Sequence, residues 1–180
     1  KEELELWEER IRKVLGEETD IAYSCELKFD GVSISLTYEN GELVQALTRG
    51  DGSQGDAITA NVKTINTIPL KLKGDYPPFF EIRGEIILLW EGFNKMNEER
   101  AAKGEPLYMN PRNTASGSLK LQDSSLVAKR PLNCFLYALA GENLPVSGQF
   151  EALEKARSWG FKVPDSAKLV SSIDAVFEFI

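Results

Sequence analysis

Val32-Ser33-Ile34-Ser35-Leu36-Thr37-Tyr38-Glu39-Asn40-Gly41-Glu42-Leu43-Val44-Gln45-Ala46-Leu47-Thr48 is the stretch that decides the fold. From Val32 to Tyr38, apolar or aromatic side chains alternate with Ser and Thr, the period of a strand with one buried face. Glu39-Asn40-Gly41-Glu42 reads as a hairpin turn, because Asn-Gly supplies the positive φ that tight primed turns require. Leu43 to Thr48 is the return strand, and two strands joined by so short a turn are antiparallel. Upstream, Ile21 to Leu27 alternates weakly and reads as a further strand. The region from Cys25 to Thr48 is therefore expected to be an antiparallel meander, with Lys28 on the loop that leaves its first strand.

Working outward, Glu2 to Leu15 has Leu4, Trp7, Ile11, Val14 and Leu15 at three- and four-residue steps, which predicts an amphipathic helix closed by Gly16. Arg49 to Asp56 is a glycine-rich polar loop, followed by a short helix over Ala57 to Thr64 and an extended segment over Ile65 to Leu72. Phe79 to Leu89 reads as a strand that carries the charged set Glu81, Arg83 and Glu85. Glu91 to Lys103 is a helix with Phe93 and Met96 facing inward. Tyr108 to Leu119 reads as a loop, Asn133 to Ala140 as a strand, and Gln149 to Trp159 as a helix stopped by Gly160. Ser171 to Ile180 begins a last helix. This order of elements defines an α+β fold with antiparallel sheets flanked by helices.

The bulk properties set bounds. The chain has 180 residues, 42% hydrophobic and 27% charged, the ordinary mix of a globular domain with a core of its own. A net charge of −7 argues against a generic cationic nucleic-acid binder. There is no histidine, so acid–base chemistry falls to carboxylates, lysine, tyrosine or a bound metal. Cys25 and Cys134 show no CxxC spacing and cannot complete a zinc site alone, so no metal site is read from the residues. They read as buried strand thiols without chemistry. Trp7 and Trp159 read as helix-face packing. No apolar run is long enough to span a membrane, and a cytoplasmic enzyme domain is the expectation.

The chemistry concentrates in Cys25-Glu26-Leu27-Lys28-Phe29-Asp30-Gly31. A lysine amine attacks phosphorus only when neutral, and an ordinary lysine is protonated at pH 7. A site that uses one must crowd it with cations or desolvate it. Glu26 and Asp30 flank Lys28 at alternate positions, which share a face on an extended chain. Gly31 lets backbone approach a ligand closely. Such a string alone is commonly a surface turn. Its company gives it weight: Thr48-Arg49-Gly50-Asp51-Gly52, Glu81-Ile82-Arg83-Gly84-Glu85, Asn110-Pro111-Arg112-Asn113, and a strand ending in Phe135-Leu136-Tyr137 follow in order.

This set resembles the adenylation (nucleotidyltransferase) domain of the bacterial NAD-dependent DNA ligases. The matching stretches are Cys25 to Gly31, Thr48 to Gly55, Asn61 to Pro69, Glu81 to Glu85, Asn110 to Leu119 and Lys129 to Leu132. The resemblance implies an ATP-grasp-like nucleotidyltransferase fold, shared by DNA ligases and capping enzymes. It implies that Lys28 attacks the α-phosphate of NAD to form lysyl-AMP and expel nicotinamide mononucleotide, and that AMP then passes to a DNA 5′-phosphate in nick sealing. Asp30 would orient the lysine or a magnesium ion. Glu26 would read the adenine edge, Tyr137 stack on adenine, Glu85 bind a ribose hydroxyl, Arg49 contact ribose and phosphate, and Gly31 make room for the nucleotide. Arg112 and Lys120 would serve the phosphate and DNA side. Lysine stands at position 120 where many members carry arginine, so a point charge replaces a fork.

The partners implied are NAD or AMP and nicked duplex DNA, with no membrane and a monomeric state. The resemblance also implies that residues 1–180 are part of a longer protein. The nicotinamide-mononucleotide-binding subdomain, a later Asp-Gly-x-x-x-Lys strand, and C-terminal parts that include the zinc finger would lie outside them. The isolated piece is therefore expected to bind adenine nucleotide weakly and to self-adenylate poorly.

Other readings of the same residues stay open. They include an ATP-dependent ligase or a capping guanylyltransferase, and a catalytically silent nucleotide- or DNA-binding module of the same fold. Arg83 reads as a cross-strand ion-pair partner, Asp51 and Asp56 as residues that shape their loop, and Tyr137 also fits a core aromatic. Lys129-Arg130 reads as a solvated pair, or as a basic strip with Arg112 and Lys120.

Overall fold

The computed structural model describes residues 1–16, 18–50 and 55–180. In chain order the elements are α1 (Glu2–Leu15), β1 (Tyr23–Cys25), β2 (Val32–Glu39), β3 (Glu42–Thr48), α2 (Thr59–Val62), β4 (Phe79–Leu88), α3 (Trp90–Ala102), α4 (Pro111–Leu119), α5 (Ser124–Val127), β5 (Leu132–Ala140), α6 (Gln149–Trp159), β6 (Lys168–Val170) and α7 (Ile173–Phe179). They form two units, one of Lys28–Val163 and one of Lys1–Leu27 with Pro164–Ile180. None of the described helices is long and apolar enough to cross a membrane.

The larger unit is built on a four-stranded antiparallel sheet of order β3-β2-β4-β5. Its first hairpin is the expected one, with φ of 49° at Asn40 and 79° at Gly41. Strand alternation then sorts the side chains into two faces. Ile34, Leu36 and Tyr38 of β2 share the buried face with Phe80, Ile82 and Ile86 of β4 and with Cys134 and Leu136 of β5. Trp159 at the end of α6 closes this core, its ring 5.0 Å from Phe80, while Tyr38 stacks on Phe80 and meets Phe161 edge-on at 5.1 Å. The polar tips are satisfied at the core margin. Trp159 Nε1 donates to the Asp75 carbonyl at 2.7 Å and the Tyr38 hydroxyl to the Pro69 carbonyl at 2.6 Å. Burial holds the Tyr38 hydroxyl and the Cys134 thiol far above their ordinary pKa values, so both are inert packing groups.

The opposite face of the sheet is polar. Ser33 lies opposite Glu85, Ser35 opposite Arg83 and Thr37 opposite Glu81, while Glu85 lies opposite Phe135. The charged set of β4 is thus one face of a strand. Between Arg83 and Gly84, whose partners are Ala138 and Leu136, β5 carries one residue more than β4, so Tyr137 sits at a bulge.

In the smaller unit β1 pairs with β6, Ser24 opposite Leu169. The Trp7 and Tyr23 rings approach to 5.9 Å, and Arg12 holds Glu8 through two hydrogen bonds of 2.9 and 2.7 Å. The helix predicted over Glu2 to Leu15 is present and buries none of its residues completely.

Four expectations need correction. The strand before Lys28 does not continue a meander into β2; it pairs with residues far along the chain. Tyr108 to Leu119 is not a loop throughout, because α4 occupies all of it from Pro111 onward. The Asn110 side chain caps the helix by accepting from the Asn113 N–H at 2.8 Å, and Pro111 takes the first turn, where its missing N–H is harmless. Ile65 to Leu72 is a run of turns. Ile65, Ile68 and Leu72 bury their side chains through it, and only Lys71 bridges to Glu42. Arg83 forms no ion pair among the described residues; Glu81 instead accepts from the Ser35 hydroxyl at 3.3 Å.

Candidate active site

The loop from Lys28 to Gly31 runs onto the polar face and is fixed at two points. The Gly31 N–H donates to Glu85 Oε1 at 3.1 Å. The Phe29 ring stacks on Phe135 with centroids 4.6 Å apart and planes 14° from parallel. Gly31 has no room for a side chain: an added Cβ would lie 2.2 Å from the Ile86 carbonyl oxygen. Asp30, between these anchors, and Lys28, just before them, stand exposed.

Charge balances locally. Arg112, near the start of α4, pairs with Asp30 at 3.0 Å, with both side chains mostly exposed. Partial burial lifts the Glu85 carboxyl above its ordinary range. The Gly31 N–H, then Lys28, then Arg112 pull it back, and the negative charge of Asp30 adds to the rise. The structure therefore brings Lys28, Asp30, Gly31, Glu85 and Arg112 into one electrostatic group. Tyr137 lies on the same face and exchanges a 3.0 Å hydrogen bond with the Ser33 hydroxyl, one strand from Glu85. At 37% exposure it is not a core aromatic. The Arg49 backbone N–H donates to the Ser33 carbonyl at 3.0 Å, which places its exposed side chain at the margin of this face.

Lys120 stands apart. It follows α4, eight positions after Arg112, so the two cations are separated by roughly 12 Å along the helix axis. Its ammonium pairs with Asp56 at 2.9 Å beside a cavity of about 370 Å³ lined by Ile58, Asn61 and Leu119. Asp56 thus ties its loop to α4, while residues 51–54, including Asp51, lie outside the described residues. Arg130 packs over the Tyr108 ring at 5.6 Å. Glu26 belongs to the smaller unit, where it accepts from the Ser24 hydroxyl at 2.9 Å. Cys25 and Cys134 are buried free thiols, as expected.

Three contributors escaped the sequence reading. Ser33 holds the Tyr137 hydroxyl; its place two positions past Gly31 on an alternating strand was the available signal. Phe135 carries Phe29, which only the strand register discloses. Asn61, buried, donates from Nδ2 to the carbonyls of Leu119 at 2.7 Å and Leu121 at 2.8 Å, and so fixes the end of α4 that presents Lys120. A second cleft of about 770 Å³ lies at the far end of the sheet among Tyr76, Phe79, Glu81 and Glu142; it includes Glu81 of the charged set but none of the residues given a nucleotide or DNA role in the sequence analysis.

Comparison with known proteins gives the family. The family model of the NAD-dependent DNA ligase adenylation domain matches residues 1–180, and the chain belongs to that family. It is 66% identical over 180 residues to a DNA ligase of Flavobacterium johnsoniae, covering all of this chain and 27% of that protein. It is 54% identical over 173 residues to a DNA ligase of Bacteroides fragilis, covering 96% of this chain and 26% of the relative. A DNA ligase of Cytophaga hutchinsonii is 46% identical over 180 residues, with 99% of this chain and 27% of the relative covered. The chain thus spans about a quarter of the length of these relatives.

Proposed function

We propose that this chain takes AMP from NAD onto Lys28 and, as part of a DNA ligase with the nucleotidyltransferase fold, delivers it to the 5′-phosphate of a nick. The observation that carries the reading is the double anchoring of Lys28 to Gly31 over a polar sheet face, in a chain of the adenylation-domain family. Lys28 Nζ bonds to the α-phosphorus as the bond to the bridging oxygen breaks. Nicotinamide mononucleotide leaves with the electron pair, and Nζ loses a proton. A DNA 5′-phosphate oxygen then attacks the same phosphorus and frees the lysine. The 3′-hydroxyl of the nick attacks the activated 5′-phosphate and releases AMP.

The residues divide the work. Tyr137 stacks on adenine with its ring held by Ser33. Glu85 accepts from a ribose hydroxyl while it positions Gly31, and Arg49 reaches ribose and phosphate. Arg112 is held by Asp30 until phosphate oxygens compete for its fork. Lys120 serves the DNA side. Among the described residues no group of three or more His, Cys, Asp or Glu could hold a metal. A magnesium ion brought by the phosphates would have the exposed carboxylate of Asp30 as its one protein ligand here, and would supply neutralisation of phosphate charge.

The test is the intact mass of the full-length protein after incubation with NAD and magnesium. A gain of one AMP unit, lost in Lys28→Ala and not restored in Lys28→Arg, is the expected result. No AMP uptake by the full-length protein, or equal uptake from ATP, would overturn the reading.

A further inference from the structure

The Phe135 ring that carries Phe29 also carries a cation. Lys162 Nζ lies 4.9 Å from its centroid and donates to Asn133 Oδ1 at 3.1 Å. The position of Lys162 is set by backbone and core. The Leu136 N–H donates to its carbonyl at 3.1 Å, and its neighbours Phe161 and Val163 are buried at 3% and 4% exposure. With both neighbours turned into the core, the Lys162 side chain emerges on the polar face, where Asn133 and Phe135 stand two positions apart on β5. Phe135 is in turn directly opposite Glu85. The two anchors of the Lys28 loop, Phe135 under Phe29 and Glu85 under Gly31, are therefore cross-strand neighbours.

We propose that Lys162 and Phe135 are positioning residues for the nucleophile: Lys162 and Asn133 hold the Phe135 ring, and that ring sets the place of Phe29 and so of Lys28. The Gly31–Glu85 bond alone fixes one end of the loop and leaves it free to rotate. A ring stacked at 4.6 Å on the residue next to Lys28 removes that freedom. The arrangement acts on the attack geometry rather than on nucleotide contact, since Phe29 turns toward the sheet and not outward.

The proposal rests on Lys28 as the AMP acceptor, and the experiment separates the two. In the full-length protein, single-turnover rates of lysyl-AMP formation and NAD dissociation constants are measured side by side. Phe29→Leu and Phe135→Leu should each slow adenylation about 3- to 10-fold, the range of a lost aromatic pair, with NAD affinity unchanged. Lys162→Met keeps the aliphatic stem and removes the charge, and should slow it about two- to fivefold. Phe29→Tyr and Lys162→Arg should restore the rate. Lys162 is exposed, so its variants should melt with the parent. Unchanged rates in Phe29→Leu and Lys162→Met would overturn the proposal, as would weakened NAD binding with the rate intact. A parent that takes up no AMP would overturn the Lys28 reading and this proposal with it; a parent adenylated normally beside unaffected variants would overturn only the proposal.

Discussion

Replacing Gly31 with alanine tests the anchoring of the site most directly. The new methyl carbon would stand 2.2 Å from the Ile86 carbonyl oxygen and 2.7 Å from Ile87 Cγ2, where ordinary contacts begin at 3.4 Å. One neighbour is main chain of the central strand β4 and cannot yield, so the loop retreats by about 1 Å. That movement stretches the 3.1 Å bond from the Gly31 N–H to Glu85 beyond useful reach. A hydrogen bond to a charged acceptor contributes about 1.5–3 kcal/mol. Overpacking adds about 1–3 kcal/mol of strain. The sum is a loss of roughly 2.5–6 kcal/mol, or about 5–24 °C in Tm for a chain of this size. Displacing the nucleophile by a similar distance should slow lysyl-AMP formation by about 100-fold. Thermal melts by circular dichroism and single-turnover adenylation read the two effects. In the double variant Gly31→Ala/Glu85→Ala the hydrogen-bond part should not be counted twice, which leaves a coupling energy of about 1 kcal/mol or more. A Gly31→Ala protein that melts within 1 °C of the parent and adenylates at the parental rate would refute the reasoning.

Other outcomes follow from the same contacts. Asn61→Ala leaves two carbonyls at the end of α4 without their donor and should destabilise by about 2–4 kcal/mol in denaturant unfolding; Asn61→Asp, which turns an acceptor toward them, should be worse. Glu85 has its folded pKa raised by burial, so the folded state binds its proton more tightly than the unfolded one. Its effect is therefore a loss of stability as pH rises through the range just above the ordinary carboxylate value, and melts of Glu85→Gln across that range should lack this slope. Ser33→Ala removes the partner of the Tyr137 hydroxyl and should weaken AMP binding by about five- to tenfold in titration calorimetry, while Tyr137→Phe should respond no further to it.

The hairpin around Asn40-Gly41, the strands that follow it and the helix ending at Gly160 were legible because their signals are local: alternation, a turn dipeptide, a helical stripe and its stop. What the sequence hid was non-local or compositionally disguised. Tyr23 to Cys25 reads as a strand, but nothing nearby reveals that its partner is Lys168 to Val170, a three-residue strand too short to show a period. Helix α4 is rich in Asn, Ser and Gly, which favour loops. Its cap at Asn110 and its buried stripe of Thr114, Ala115, Ser118 and Leu119 were readable and outweighed by composition. At the site, the residue types and their order pointed to Lys28, Asp30, Glu85 and Arg112. The pairings of Phe29 with Phe135 and of Tyr137 with Ser33 depend on register between strands about a hundred residues apart, and alternation in one strand cannot supply that.

The bulge at Tyr137 divides β5 into two segments of independent phase. Up to Tyr137, the odd-numbered residues lie on the polar face; beyond it, Ala138 opposes Arg83 and Leu139 opposes Ile82, so the parity reverses. The segment that carries Asn133, Phe135 and Tyr137 is thereby insulated from insertions and deletions farther along the strand. Shortening the chain by one residue at Ala138 would turn Leu139 outward and leave the platform beneath Lys28 in register. The outer end of this sheet can therefore vary in length without disturbing the Lys28 to Gly31 loop at its other end.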